Sequence, residues 1–325
     1  MNILWIKDGK KGHEKQVQAL LDELSKTINI KIYEETYDIS SLKRFFDILN
    51  HATSYVLKKY DSYTIKSYYQ NDIHLVVGAG SNIHTRLLLL KKALKNIYDK
   101  DIIAISVLTP SLFKNEFDFI CAPNHDEIKL NNNINKTIFF EGSLAKVSIQ
   151  EPDDEIGFIG LGGVNKHFIF NEDDLIKQIE YVLALYPKKY WYLFSSRRTS
   201  DLMIDKIKTL TNSFSNLVVA HENYDEITKR ASIKFITQDS MNMVYESLST
   251  KGQTFVFNMK YKNKNKITKQ IKKLVENKQI GYIENIAMSD GLKKIKIQPQ
   301  NPHYEVFAEV EKLSFQLASK LKTLK

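Results

Sequence analysis

Short apolar runs alternate along the chain with segments whose apolar residues recur at helical spacing. Ile3–Ile6 reads as a buried strand. Val17, Leu20, Leu21 and Leu24 then mark one helix face, which predicts a helix over Glu14–Ser25. The same alternation continues with a strand at Ile28–Tyr33, a helix at Leu42–Tyr60, a strand at Ile73–Val77 and a leucine-faced helix at Asn82–Lys95. Strands at Ile102–Leu108, Phe117–Ala122 and Thr137–Phe140 complete a first set. A second set opens with the strand Phe158–Leu161 and the helix Glu172–Leu185. It runs on through Tyr190–Phe194, Ser200–Thr211, Leu217–Ala220, Tyr224–Arg230, Phe235–Thr237, Met241–Ser249, Phe255–Phe257 and Lys264–Glu276.

Strands alternating with 10–15-residue helices predict βαβ units and parallel sheets, hence an α/β fold. The acidic turn Glu151–Glu155 separates the two sets, so two domains are expected, residues 1–152 and 153–325. A last helix, Tyr304–Leu324, is long enough to pack across both. In open parallel sheets ligands bind beyond the carboxyl ends of the strands, so the polar residues just after each strand are the candidates for chemistry.

Composition narrows the class. With 325 residues the chain can bury a sizeable core, and a single cysteine excludes a disulfide framework or a cysteine-cluster zinc site. That residue, Cys121, lies inside an apolar strand and reads as a buried small side chain rather than a nucleophile. No apolar run approaches the length of a membrane span, and the start lacks the pattern of a signal peptide. A cytoplasmic location is the expectation. Histidine spacing offers no metal-ligand motif, so neither a metal nor another cofactor is expected.

The net charge of +9 is concentrated. Residues 251–325 carry 16 lysines and arginines against 6 acids, while the remainder is near neutral. Seven lysines fall within Lys260–Lys273 without an acid among them. Such a run suits an anionic membrane surface or a phosphorylated ligand, or is simply a solvated face. No nucleic-acid module accompanies it, so nucleic acid is not an expected partner.

Six segments follow strands and carry candidate chemistry. Asp8 to His13 holds Gly9 and Gly12 in a turn and places His13 at a helix start, where a neutral imidazole could accept a proton. Gly78, Gly80 and Ser81 form a second turn, and His125 with Asp126 a third group. A plain turn explains each of these equally well. Gly162 and Gly163 with Lys166 and His167 suit a diphosphate approached by backbone N–H groups. Ser196, Arg197, Arg198 and Thr199 end a strand, and two arginine forks there suit phosphate. Asp239 and Ser240 are placed to cap the helix that carries Met241, Asn242 and Glu246, and a carboxylate at Glu246 could accept ribose hydroxyls.

In order and spacing these segments resemble the plant "elongated mitochondria" fission family and its bacterial relatives, which are labelled glycosyltransferases. The resemblance runs from Trp5, Asp8–His13 and Gln16 through Val77–Gly80, Phe117–Asp126 and Glu141-Gly142. It continues through Gly162–Phe168, Ser196–Thr199 and Asp239–Glu246, and so reaches to about residue 260. Two departures stand out: Asn124 replaces the family's usual glutamate, and Gly80 is followed by Ser-Asn. The resemblance implies a GT-B-like architecture of two Rossmann-like domains facing across a cleft. The C-terminal half would hold a nucleotide-sugar, through Gly162, Gly163, Lys166, His167, Ser196–Thr199, Asp239–Asn242 and Glu246. The N-terminal half would hold the acceptor, near Gly9, Gly12, Gln16, Gly78, Gly80, Ser81, His125 and Asp126, with His13 or Asp8 as base. It further implies a glycosyltransferase acting on a lipid-linked or other cell-envelope glycan, peripheral on the inner membrane face through Lys260–Lys273. The alternative is a non-catalytic scaffold that retains the fold.

Overall fold

The computed structural model describes residues 1–37, 41–53, 62–287 and 293–323. They form two compact units, Met1–Lys146 with Glu309–Lys325, and Val147–Ala308.

The first unit is built on a six-stranded parallel sheet in the order β2-β1-β3-β4-β5-β6. Its strands are β1 (Asn2–Lys7), β2 (Lys31–Thr36), β3 (Leu75–Ala79), β4 (Ile103–Val107), β5 (Phe119–Pro123) and β6 (Thr137–Phe140). β3 and β5 are buried at every position, as expected for central strands covered on both faces, whereas edge strand β2 alternates partly buried and exposed residues. Helix α1 (Lys11–Ser25) buries Val17, Leu20, Leu21 and Leu24, the stripe its periodicity predicts. α4 (His84–Tyr98) buries Leu87–Leu90 and starts two residues later than expected, because Gly80–Ile83 form a turn.

Helix α2 (Ser41–Thr53) accounts for the first part of the expected helix Leu42–Tyr60; residues 54–60 of that expectation lie outside the described residues. α2 is turned inside out. Asp47 and His51 are buried, while Leu42, Phe45, Phe46 and Leu49, spaced along one face, are exposed. A short helix α3 (Ser62–Gln70), not anticipated, precedes β3.

The second unit carries a seven-stranded sheet in the order β13-β12-β11-β10-β7-β8-β9. It consists of β7 (Asp153–Leu161), β8 (Tyr190–Ser195), β9 (Leu217–Val219), β10 (Ala231–Ile236), β11 (Gln253–Val256), β12 (Gly281–Ala287) and β13 (Lys293–Gln298). Helices α5 (Glu172–Leu185), α6 (Asp201–Ser213), α7 (Tyr224–Arg230), α8 (Met241–Leu248) and α9 (Lys266–Glu276) link the parallel strands. Asn171, Ser200 and Asn265 cap α5, α6 and α9 with their side chains. The β12–β13 hairpin was not foreseen, and it makes the sheet mixed by adding an antiparallel edge.

The last helix, α10 (Glu309–Thr323), corrects two expectations: it packs on α1 and β6, so it belongs with the first unit rather than the second or both. Val310, Leu313, Leu317 and Leu321 supply its buried stripe, and Glu309 accepts the Glu141 N–H at 2.8 Å. Leu324 lies outside the described residues. None of the described helices is long and apolar enough to cross a membrane.

Both sheets have a topological switch point. In the first unit the chain runs from β1 to β2 and then returns to β3 on the other side of β1; in the second it runs β7-β8-β9 and returns to β10 beside β7. A crevice forms beyond the carboxyl ends of the strands at such a point.

Candidate functional site

At the switch point of the second unit, three strand ends are tied together. The Gly162 N–H donates to Thr237 Oγ1 at 2.7 Å, and the Gly163 N–H donates to Asp239 Oδ2 at 2.9 Å. Arg198 Nη2 reaches the same carboxylate oxygen at 3.0 Å. The Ser196 hydroxyl donates to Gly162 O at 2.8 Å, and the Thr199 hydroxyl bonds that carbonyl too.

The glycines are required by this closure itself. A Cβ on Gly162 would lie 2.2 Å from Asp239 Oδ2, and one on Gly163 would lie 1.8 Å from Arg198 O. Both glycine N–H groups are thus engaged by protein side chains rather than open to a phosphate as expected. Burial pushes the Asp239 carboxyl up, against the Gly163 N–H and the Arg198 charge that favour its ionised form.

Asp239 was expected to cap α8, with Ser240. It is turned to Gly163 and Arg198 instead, and the Ser240 side chain makes no cap bond to α8. That first turn, with Met241 and Asn242 half-buried, keeps the N–H groups and positive dipole end that suit an anion. Arg197 and Lys166 are exposed beside these elements. Glu246 is half-buried next to the Tyr224 hydroxyl; burial, and then the Glu246 charge, hold that phenol well above its ordinary range. Sequence inspection passed over Thr237 and Asn165. Asn165 Oδ1 accepts the His167 and Phe168 N–H groups at 2.6 and 3.0 Å, an Asx turn whose sign is the asparagine two residues after the glycine pair.

In the first unit the switch point holds a histidine–carboxylate dyad. His13 Nδ1 lies 2.7 Å from Asp8 Oδ2, and Lys10 N–H donates to Asp8 Oδ1 at 3.1 Å. Burial raises the Asp8 pKa, but the His13 bond and charge with the Lys10 contacts outweigh it, and the net shift is downward. An ionised Asp8 fixes the proton on Nδ1 and leaves Nε2 as the acceptor. Asp8 has no exposed side-chain surface, whereas His13 is partly open. Gly80, at φ +101°, makes the dyad possible: a Cβ there would lie 2.5 Å from His13 Nδ1 and 2.8 Å from Asp8 Oδ2.

Other residues expected on the acceptor side are used differently. Gln16 is buried, donating to Gly12 O and accepting from Leu144 N–H. Gly78 leaves room for Ile83 and for Ile6 O. Gly9 turns the chain at φ +71° with open space around it, and Ser81 is exposed. Asp126 accepts from Thr109 Oγ1 at 2.9 Å and pairs with Lys129 at 2.8 Å, which fastens the segment after β5; with His125 it stands two strands beyond β3.

His84, not anticipated, lies wholly buried at the start of α4, with Nε2 2.9 Å from Ser106 Oγ. Burial holds its pKa down to about 4, so it is neutral. Cys121 is buried and its thiol pushed up to about 12. No cluster of three or more metal-ligating side chains occurs among the described residues.

Two Rossmann-like units of this kind make a GT-B-like fold, and solved structures share it. MnaA of S. aureus, solved with UDP, matches with a TM-score of 0.51 at 10% identity, covering 99% of this chain and 88% of that one. The UDP-GlcNAc 2-epimerase of Neisseria meningitidis, solved with UDP-GlcNAc, matches with a TM-score of 0.50 at 12% identity, covering 99% and 93%. A search of curated proteins finds no matching sequence. The chain belongs to the mitochondrial fission ELM1 family, whose model matches residues 11–314.

Proposed function

We propose that the protein is a glycosyltransferase that moves a sugar from a nucleotide-sugar to a hydroxyl of a lipid-linked or other cell-envelope glycan. The observation that carries this is the uncapped start of α8 beside Arg198, held in place because Asp239 is diverted to Gly163 and Arg198. A nucleoside diphosphate fits such a place: α8 N–H groups, Arg197, Arg198 and Lys166 meet the phosphates, and Glu246 accepts ribose hydroxyls. The UDP and UDP-GlcNAc bound in the two structural neighbours support a ligand of that class.

In the transfer, the acceptor oxygen bonds to the anomeric carbon as the bond from that carbon to the diphosphate oxygen breaks. The cations and the helix end stabilise the charge developing on the departing nucleoside diphosphate. His13 Nε2 takes the acceptor's proton, and Asp8 orients the imidazole and stabilises its charged form. Asp8 is thus a positioning residue rather than the base.

An acceptor with a hydrocarbon part is supported by the exposed apolar face of α2. Arg44 of that helix bonds Asn82 Oδ1 at 3.1 Å, next to the Gly80 turn that seats the dyad. Association with the inner membrane face would use Lys269, Lys272 and Lys273, which are exposed on α9.

The test is thermal protection by a panel of nucleoside diphosphates and nucleotide-sugars. One of them at 100 times its Kd is expected to add about 2.7 kcal/mol of stability. Arg197→Ala, at an exposed position, should remove that protection while leaving the unliganded melting temperature nearly unchanged. Absence of protection across the panel would support the scaffold alternative. For the membrane, wild type should sediment with anionic vesicles, and charge-removing substitutions at Lys269, Lys272 and Lys273 should weaken this several-fold at low salt, where surface charge is least screened.

A further inference from the structure

The lysine run does not form one surface. Its first part is extended and pairs antiparallel with the segment that follows the glycine pair. Ile169 N–H donates to Lys260 O, and Lys262 N–H donates to His167 O, both at 2.8 Å, and the Phe168 and Tyr261 rings meet edge-on at 5.5 Å. Lys262 Nζ donates to Asn165 O at 2.8 Å, the backbone of the Asx turn that shapes this loop. Lys266 begins α9 immediately after.

The loop after the glycine pair is thus held on two sides, by Lys262 and, through the Val164 N–H donating to Arg198 O at 3.2 Å, by the strand end that carries Arg198. Lys166, Arg198 and Lys262 come from three separate stretches of chain and meet at this loop, and the His167 pKa is lowered by burial and then by the charges of Lys166, Arg198 and Lys266. Cations converging on one loop raise the local positive potential, which favours a polyanion. The later lysines are disposed differently. Lys269, Lys272 and Lys273 lie on the exposed face of α9, opposite the buried Thr268, Ile271 and Leu274.

We propose that Lys262 is part of the donor site, where it holds the Asn165–His167 loop so that Lys166 meets the diphosphate together with Arg198. This rests on the donor reading above and assigns the two halves of the run to different tasks. A diphosphate carries two to three negative charges, which suits a convergence of cations better than a single arginine does.

The test uses inorganic pyrophosphate and UDP as probes, with affinity measured by calorimetry and the His167 imidazole followed by NMR titration. Lys262→Gln is expected to weaken both ligands at least tenfold and to flatten the salt dependence of binding. Pyrophosphate should raise the His167 pKa in the wild type. The triple variant Lys269→Gln, Lys272→Gln, Lys273→Gln should leave both affinities unchanged. The melting temperature of Lys262→Gln is measured alongside, so a folding defect cannot be read as lost affinity. Full affinity in Lys262→Gln, with affinity lost in Arg198→Gln, would overturn this proposal while sparing the donor site. Full affinity in Arg198→Gln as well would overturn both.

Discussion

Replacing His13 by alanine is expected to lower kcat by about 10²- to 10⁴-fold while leaving the affinity for nucleoside diphosphate unchanged. The reason lies in the division of labour within the first unit. His13 is partly open, and its Nδ1 is engaged by a carboxylate that has no exposed surface. The loss should therefore fall on proton transfer, and the donor groups in the second unit are untouched. Asp8→Asn separates orientation from presence. An amide oxygen can still accept from Nδ1, but the amide NH₂ can equally favour the other tautomer, and the charge that stabilises the imidazolium is gone. A kcat loss approaching that of His13→Ala is expected, with the imidazole still in place. Gly80→Ala should resemble both, because the new methyl group would sit against Nδ1 and Oδ2 in a backbone conformation that L residues rarely adopt. Kinetics at saturating donor, read beside UDP affinity for all three variants, provide the check. A kcat within threefold of wild type for His13→Ala would remove this dyad from the chemistry.

The dyad also shows what a sequence conveys and what it withholds. Strands such as Leu75–Ala79 are legible as short continuous apolar runs, and helices such as Lys11–Ser25 because their burial follows a local period. Asp8 and His13 were visible as candidates because they follow a strand at a glycine turn. That Gly80 exists to seat them was not visible, because the contact joins residues almost 70 positions apart. Non-local choice explains the other differences. The α10 stripe predicts a helix with a buried face but does not say which unit it joins. Asp239 has the sequence signature of a helix cap, yet a partner presented by another strand end, Gly163 N–H, takes its carboxylate. The β12–β13 hairpin was obscured by lysines alternating with isoleucines at Lys294–Ile297, a pattern that suits a half-exposed edge strand but is easily lost in a charged stretch. The division of the lysine run is hidden for the same reason: the pairing of 260–262 with 167–169 is set by folding, not by composition.

The largest effect on stability is expected at a residue with no part in catalysis. Lys234 lies in β10 with no exposed surface, and its ammonium donates to Ser247 O at 2.9 Å, Thr250 Oγ1 at 2.6 Å, Lys251 O at 2.7 Å and Thr250 O at 3.3 Å. These oxygens end α8 and the turn after it, where helix carbonyls lack intrahelical partners and the dipole is negative. Lys234→Met keeps the stem and removes the donors, so buried oxygens are left unsatisfied at about 1–3 kcal/mol each, a large share of the stability of a typical domain. The pH dependence carries a sign of its own. Burial lowers the Lys234 pKa from 10.5 to about 7, so between those values the unfolded chain holds more protons than the folded one. Stability contributed at this site therefore rises with pH across that window, and Lys234→Met should abolish that slope. Denaturant unfolding at pH 7 and pH 9.5 measures both. Because the other end of α8 is the uncapped turn assigned to the diphosphate, conditions in which the variant remains folded should also reveal weaker UDP binding. An unchanged midpoint at both pH values would show that the four oxygens are satisfied without the ammonium.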